Sequence, residues 1–454
     1  MSIALIVIAC VAIGIAVRLL RRLPRLAFAA SLLGAGGIGI FLATAPSAPV
    51  YFFGRTLTLD PSARAFLWLA LSAATALALF APLTFERASN APSSVVANSQ
   101  GAFFFWSLAP LAVAVVMDSF PLAVFAWAIG LIVLMLSAQP QSEGRVGGAA
   151  QFLLLIVIAS ASLLLANRFF DLYPLTPENL DLIRNAVIFI ALGFGLLLAV
   201  APLHIWLGPL ADELSPLGIA FLVGIAQSIG LWLLLQQMTD VTWLVTKSPL
   251  LNVLLFGGLL TAPLGALLAL SERRDARLLA YLSLVPLGNA LVGCGLGTRL
   301  ALASVWLVIV NRAWGVALVA GGMSFARHHP ERRWQIIGAS AILVGGLALA
   351  GVPPTLGFAA DYSIYRDLGG LNPSALVVLI GSNALAVLAI LRVVWRVVAE
   401  RAETEESNRE IKIIPHLCVI VAVILFAAMI GAGLFPQLIA DPMLETLGKA
   451  SYLK

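Results

Sequence analysis

The side chains best suited to chemistry in this sequence are three ionisable groups inside otherwise apolar runs. His204 lies in the first of two proline-containing interruptions, Arg312 lies near the middle of the run 299–325, and Asp361 follows the second interruption. A charged side chain at the centre of a bilayer costs about 2.5–3.5 kcal/mol on insertion scales, so such residues usually mark a path for protons or ions. They therefore predict proton or cation transfer, and a structural role is the alternative.

The two interruptions occupy residues 199–209, with Pro202, and 351–358, with Pro353-Pro354. A proline within a spanning helix frees a backbone carbonyl, which is tolerated at membrane depth only where the break is buried in protein or lines a wet cavity. Paired breaks in the two halves of a chain, here about 150 residues apart, favour a transporter-like site. His204 is expected either to relay a proton or to cap the broken helix beside Pro202.

The elements that position these residues are expected to be membrane-spanning helices. Hydrophobic residues make up 61% of the 454 residues, charged residues 11%, and the mean hydropathy is +1.02, which excludes a water-soluble surface. Apolar runs of about 20 residues recur with short polar joints, which predicts an all-α polytopic membrane protein with about fourteen transmembrane helices. The predicted spans are 3–20, 26–45, 63–85, 101–117, 119–137, 148–167, 184–212, 216–237, 249–271, 276–296, 299–325, 334–368, 373–398 and 413–436.

Charge and cysteine usage narrow the class further. Arginines concentrate in the joints after odd-numbered spans, which the positive-inside rule places in the cytoplasm, so both termini are expected on the other side of a bacterial inner membrane. We attribute the net charge of +5 to basic residues that set the orientation of the helices in the membrane, and not to a nucleic-acid site. Cys10, Cys294 and Cys418 have no paired spacing, and we expect no metal, no cofactor and no catalytic site in this chain. The charged stretch 401–412 is expected to be a cytoplasmic linker.

Four stretches together resemble one known family. Residues 53–62 are similar to an early outer-loop signature, and Pro202-Leu203-His204-Ile205-Trp206-Leu207 with Ser215-Pro216 is the most specific match. Residues 275–283 and 351–358 supply the other two. The chain resembles the antiporter-like family, the proton-translocating membrane subunits of complex I, group 4 hydrogenases and multisubunit cation/proton antiporters.

This resemblance implies two inverted repeats with broken helices near Pro202 and Pro353-Pro354. We expect N-terminal helices in 1–100, a first repeat in 101–237, a second in 238–398, and a linker with a C-terminal helix in 399–454. The implied partners are other membrane subunits of a hetero-oligomeric complex and the lipid bilayer, with protons or monovalent cations as possible cargo.

The resemblance also shows which charged positions of the family are missing. The family's buried Glu and its paired Lys fall at Ala128 and Leu197, and the Lys of the next helix falls at Gln227. A His position holds Pro286, and in the Asn-His-Ala-x-x-Lys run Asn311 is kept while Arg312 and Val316 replace the His and the Lys. Asp361 takes the place of a Lys or Glu. The translocation-path candidates are therefore His204, Gln227, Asn311, Arg312 and Asp361.

Arg312 needs a partner at this depth, and family geometry makes Asp361 the nearest candidate, so a buried Arg312–Asp361 pair is expected. The favoured function is a degenerate, non-conducting structural subunit of a complex I-like or related complex. The alternatives are an active proton or cation carrier that uses His204, Arg312 and Asp361, and a membrane partner in an inorganic-carbon or other ion transport assembly. The complex is expected to be a proton-translocating oxidoreductase of the NADH-quinone or hydrogenase type, if it is an enzyme.

Overall fold

A computed structural model describes residues 2–45, 50–52, 55–84, 99–138, 147–328, 331–399 and 413–441. These residues are almost entirely helical, with one short hairpin of β1 (Val50–Phe52) and β2 (Arg55–Leu57). The helices before the first break are α1 Ser2–Leu19, α2 Pro24–Thr44, α3 Pro61–Phe80, α4 Gln100–Val116, α5 Phe120–Met135, α6 Gly148–Leu172 and α7 Leu180–Leu198. Each of these helices overlaps a predicted span, and some extend beyond it, as Gly148–Leu172 does past residue 167.

The helices between the two breaks are α8 Leu207–Glu213, α9 Pro216–Phe221, α10 Gln227–Asp240, α11 Thr242–Thr246, α12 Leu250–Ser271, α13 Asp275–Leu282, α14 Leu284–Leu296, α15 Arg299–His328 and α16 Arg332–Leu349. The second break is followed by α17 Leu356–Leu371, α18 Pro373–Ala399 and α19 Ile413–Leu434. The predicted linker 401–412 lies outside the described residues.

Ten helical segments of the described chain are long and apolar enough to cross a membrane, and three shorter apolar helices accompany them. The all-α polytopic class is therefore confirmed. All fourteen predicted spans contain helix, but ten segments meet the length and hydropathy requirements, so the count of fourteen stays a prediction.

Helix ends are set by local chemistry. Asp60 caps α3 by accepting a hydrogen bond from the Ala63 N–H, and Ser215 caps α9 through the Gly218 N–H. Both caps precede a proline in the first helical turn, where its missing N–H costs nothing. Because each span begins at a fixed residue, the side chains along it face fixed neighbours.

The most buried part of the bundle lies around α15, the longest helix of the described chain. The segments Pro216–Asp240 and Arg299–Arg327 are almost completely enclosed by protein, whereas α12, α18 and α19 keep much of their surface exposed and apolar, as expected of helices that face lipid. The second break contacts α15 directly through Asn311, and the first is joined to α15 through Gln227.

Candidate functional site

The first break follows α7 and has a defined backbone geometry. Ala199 adopts a left-handed conformation with φ of 60°, and the Ala201–Pro202 peptide is cis. The Val200 N–H donates to the Gly195 carbonyl at 2.9 Å, and the freed Ala201 N–H donates to Thr261 Oγ1 in α12 at 3.0 Å. The backbone donors of this turn are thus satisfied inside the protein, as membrane depth requires.

The carbonyls that the first break frees are capped by side chains other than His204. Trp206 Nε1 donates to the Leu196 carbonyl at 2.8 Å, and Gln227 Nε2 donates to the Leu197 carbonyl at 3.0 Å. The His204 ring lies beside the Pro202 backbone, but its buried Nδ1 reaches no acceptor in hydrogen-bonding geometry. Trp206 and Gln227 thus hold these two carbonyls, and the capping role expected of His204 beside Pro202 stays a prediction.

Gln227 joins the first break to α15. A π-helical turn, Leu222–Ala226, precedes it, and such turns re-aim the side chains that follow. The Gln227 side chain is fully buried, and while its amide nitrogen holds the Leu197 carbonyl, its Oε1 accepts a hydrogen bond from Arg312 Nη2 at 2.5 Å. Trp127 Nε1 donates to the neighbouring Ala226 carbonyl at 2.8 Å.

Arg312 is fully buried in α15, and Gln227 is its only hydrogen-bond partner among the described residues. Its Nε and Nη1 atoms are buried without a partner. The predicted Arg312–Asp361 ion pair is wrong, because both residues bind other side chains. The pair was inferred because Asp361 follows the second break. Arg312, however, points to Gln227 beside the first break, while the preceding residue of α15, Asn311, points to the second break.

The second break repeats the first, 152 residues later along the chain. Gly351 takes the left-handed conformation of Ala199 with φ of 66°, and the Pro353–Pro354 peptide is cis. The Val352 N–H donates to the Leu347 carbonyl at 3.0 Å, which matches the bond between Val200 and Gly195. The two backbones thus form the same turn.

Asn311, the neighbour of Arg312 in sequence, caps this second turn. Its Nδ2 donates to the Ala348 carbonyl at 2.8 Å, and Ala348 is the counterpart of Leu196 in the first break. A Cβ on Gly357 would lie 3.0 Å from Asn311 Nδ2 and still closer to the Ala348 carbonyl, so only glycine fits there. Consecutive residues of α15 therefore contact the two breaks, Asn311 directly and Arg312 through Gln227.

Asp361 lies one turn inside α17 and is buried within a cluster of polar side chains. Its Oδ2 accepts hydrogen bonds from Asn289 Nδ2 at 3.0 Å, Asn383 Nδ2 at 3.1 Å and the Tyr365 hydroxyl at 3.3 Å. Asn289 Oδ1 is buried without a partner. Three donors on one oxygen stabilise the carboxylate without a counter-cation from the described residues.

Sequence reasoning did not assign Asn289, Asn383 and Tyr365 to the Asp361 site. The spacing of Asp361 and Tyr365, one helical turn apart on one face, was the available signal for the tyrosine. Asn383 and Asn289 come from α18 and α14, and no local pattern links them to α17. Only packing brings these residues together.

The positions at which the resemblance implies missing charges are filled by packed apolar side chains. Ala128, Leu197 and Val316 are all buried, as is Pro286 within α14. The described part of the chain also holds no cluster of three or more metal-ligating side chains.

Two curated relatives match this chain over about half of their own length. The chain is 30% identical over 242 residues to NADH-quinone oxidoreductase subunit N of Desulforudis audaxviator, covering 49% of this chain and 48% of that protein. It is 28% identical over 342 residues to formate hydrogenlyase subunit 3 of Escherichia coli, covering 67% and 55%. The chain thus spans about half the length of the curated relatives it matches.

The fold is also that of a chain in a solved structure. A chain of respiratory complex I from Thermus thermophilus superimposes with a TM-score of 0.72 at 20% identity, covering 97% of this chain and 99% of that chain. The family model for the transmembrane region of NADH:quinone oxidoreductase and Mrp antiporters matches residues 117–386, more than half of the sequence. The chain is an integral membrane protein that belongs to the NADH:quinone oxidoreductase/Mrp antiporter transmembrane family.

Proposed function

We propose that this chain is a membrane subunit of a complex I-like or related ion-translocating complex, and that it serves as a structural, non-conducting member. The observation that carries the proposal is the state of Gln227. This amide occupies the position of a family lysine, and its two functional atoms hold the Leu197 carbonyl and Arg312. A carboxamide does not ionise at working pH, so this contact supports a clamp between the first break and α15.

The surroundings of the first break support the same proposal. Protons cross hydrocarbon by moving between titratable side chains and water, so a gap in that row stops them. Ala128 and Leu197 leave the wall of the first break apolar. Replacing buried charges by well-packed apolar residues removes a cost in stability that only conduction would maintain.

The domain arrangement proposed for the chain is two inverted repeats, 101–237 and 238–398, within about fourteen spans. The matching turns at Ala199–Pro202 and Gly351–Pro354 support it, because in each a residue in the left-handed conformation is followed by a cis proline three positions later. The segments 1–100 and 399–454 would flank these repeats.

The orientation proposed, with both termini outside the cytoplasm of a bacterial inner membrane, rests on basic residues at one end of the bundle. Arg274 binds Asp212 at 2.7 Å, and Arg277 also binds Asp212. Arg396 binds Asp275 at 2.5 Å. The joints after predicted spans 7, 9 and 13 therefore meet at one surface, and basic joints favour the cytoplasmic side.

Proton pumping tests the proposal directly. The complex that co-purifies with the tagged chain would be reconstituted into liposomes with a pH-sensitive dye, using the natural chain and the Asp361→Asn and His204→Ala variants. A structural subunit predicts pumping rates unchanged within error. Loss of pumping in either variant, with assembly intact, would overturn the non-conducting proposal. The co-purified subunits would identify the complex, including an inorganic-carbon assembly.

The second candidate function is active proton or cation transfer at the second break. The observation in its favour is the Asp361 cluster, where a buried carboxylate meets Asn289, Asn383 and Tyr365. A carrier predicts that Asp361→Asn lowers pumping and that Asp361→Glu restores part of it, since glutamate keeps a titratable oxygen. A structural cluster predicts no such rescue.

A further inference from the structure

An apolar groove opens between α7 and α12 beside the first break. Twelve residues line it, all of them apolar or glycine, and its floor is formed by the fully buried Leu198, Leu234 and Leu291. Its mouth lies at Ala191 and at Val253, whose side chain is 40% exposed. No lining side chain offers a hydrogen bond, so water has no partners in the groove.

The groove lies beside the second half of α7 and the first turns of α12, at the end of α12 opposite to Arg273. It follows α7 from Ile190 to Leu198, a rise of about 12 Å at 1.5 Å per residue. At this depth the bilayer supplies hydrocarbon chains. The composition of the groove and its empty volume of about 380 Å³, which includes its open side, suit part of one acyl chain packed between α7 and α12.

A cation and two aromatic rings lie close to the start of α12, whose first residue, Leu250, lines the groove. Lys247 is exposed and lies three residues before Leu250, a lining residue, so its Cα is within about 10 Å of that residue. Its Nζ lies 5.8 Å from the ring of Tyr173, which stacks on Trp243 at 4.1 Å. Tyrosine and tryptophan of this kind occur at headgroup level.

Lys247 forms no ion pair with a carboxylate of the described residues. It is also one of the few basic residues in the joints after even-numbered spans, where topology does not call for one. A lysine at headgroup level attracts a lipid phosphate. The cation above and the apolar groove below thus match the two ends of one phospholipid.

We propose that this groove binds an anionic phospholipid, with one acyl chain between α7 and α12 and the headgroup phosphate at Lys247. The acyl chain lies against Val200 and Leu198, the residues that flank the first break. A bound lipid therefore covers the lateral side of the break and closes it to water. The proposal does not depend on whether the chain conducts protons.

Native mass spectrometry of the full chain, purified with its co-purifying partners, tests this site. The probes are phosphatidylglycerol and phosphatidylcholine added at equal concentration. The natural chain is expected to retain phosphatidylglycerol several-fold over phosphatidylcholine. Ala191→Phe fills the groove and is expected to abolish retention. Lys247→Gln keeps the groove and is expected to bring the ratio of the two lipids close to one.

Gly381→Phe is the matched control, because a side chain at this exposed position of α18 meets only open space. It adds the same ring to a lipid-facing helix and is expected to leave retention unchanged. If Ala191→Phe fails to assemble, Val253→Trp narrows the mouth and replaces it. Equal retention in the natural and groove-filled chains, no retained lipid, or a retained quinone in place of a phospholipid would each overturn the proposal.

Discussion

The two breaks share one backbone turn but differ in what surrounds it. In the first, the freed carbonyls are held by Trp206 and Gln227, and the nearby walls are apolar. In the second, Asn311 holds the corresponding carbonyl, and a buried carboxylate lies one turn away in a cluster of amides and a phenol. A turn that occurs twice in the chain therefore does not by itself make an ion site, because its backbone carbonyls need hydrogen-bond donors even where no ion moves.

The comparison also explains the position of α15. Its consecutive residues Asn311 and Arg312 contact the two breaks from the middle of the bundle, one directly and one through Gln227. Arg312 carries a full charge but caps nothing itself. Burying this guanidinium costs solvation free energy, and Gln227 is the described residue that offsets it. We therefore expect substitutions at Gln227 to destabilise the protein most.

The largest expected effect follows from removing the partner of Arg312. Gln227→Leu leaves the guanidinium without its hydrogen-bond acceptor and uncaps the Leu197 carbonyl, so we expect a loss of about 3–5 kcal/mol in unfolding free energy. Thermal unfolding of the detergent-solubilised chain, followed by size-exclusion chromatography, measures it. Gln227→Glu is the matched control, since it keeps an acceptor for Arg312 and should lose much less. Equal melting temperatures of Gln227→Leu and the natural chain would show that the contacts of Gln227 with Arg312 and Leu197 do not stabilise the fold.

A smaller effect tests whether the two turns are capped equally. Trp206→Phe removes the indole N–H and keeps a smaller aromatic ring against Phe152, while Asn311→Leu removes the donor to Ala348. Each removes one of two donors from a buried carbonyl, since the Ala199 N–H still reaches Leu196 at 3.4 Å and the Gly351 N–H still reaches Ala348 at 3.1 Å. The loss of one hydrogen bond is expected to cost about 0.5–1.5 kcal/mol in each variant. The same unfolding assay compares them. A loss in one and none in the other would show that the two turns are not energetically equivalent.

Substitutions at Ala199 and Gly351, the two residues in the left-handed conformation, are expected to change the stability in opposite directions. Ala199 pays a strain of about 1–2 kcal/mol at φ of 60°, so Ala199→Gly is expected to stabilise by less than that, since glycine also gains freedom in the unfolded chain. Gly351→Ala is expected to destabilise, because its Cβ would also collide with Asp361. Melting temperatures that move in the same direction for both variants would contradict this assignment.

The smallest expected value is a coupling energy. Because Arg312 and Asp361 share no hydrogen-bond partner, a double-mutant cycle of Arg312→Leu and Asp361→Leu should be additive within about 0.5 kcal/mol. The Gln227 and Arg312 cycle, measured alongside with Gln227→Leu, should show about 1–3 kcal/mol of coupling. A large Arg312–Asp361 coupling would restore the ion pair that the structure lacks.

The sequence by itself determined the membrane class, the positions of the helices and the two breaks. These follow from local rules, since hydropathy over about 20 residues sets a span and a proline within it sets an interruption. The motif around Pro202 and His204 was enough to indicate the family. The sequence also placed Gln227, Asn311, Arg312 and Asp361 in the central region.

Only the tertiary structure decided which of these residues meet. Side-chain partners depend on the rotation and packing of helices far apart in the chain, and a difference of one residue turns a side chain by about 100° around its helix. That rotation directs Arg312 to Gln227 and Asn311 to Ala348, and leaves Asp361 to Asn289, Asn383 and Tyr365. The sequence gives the charges of this region, and the packing of its helices decides their partners.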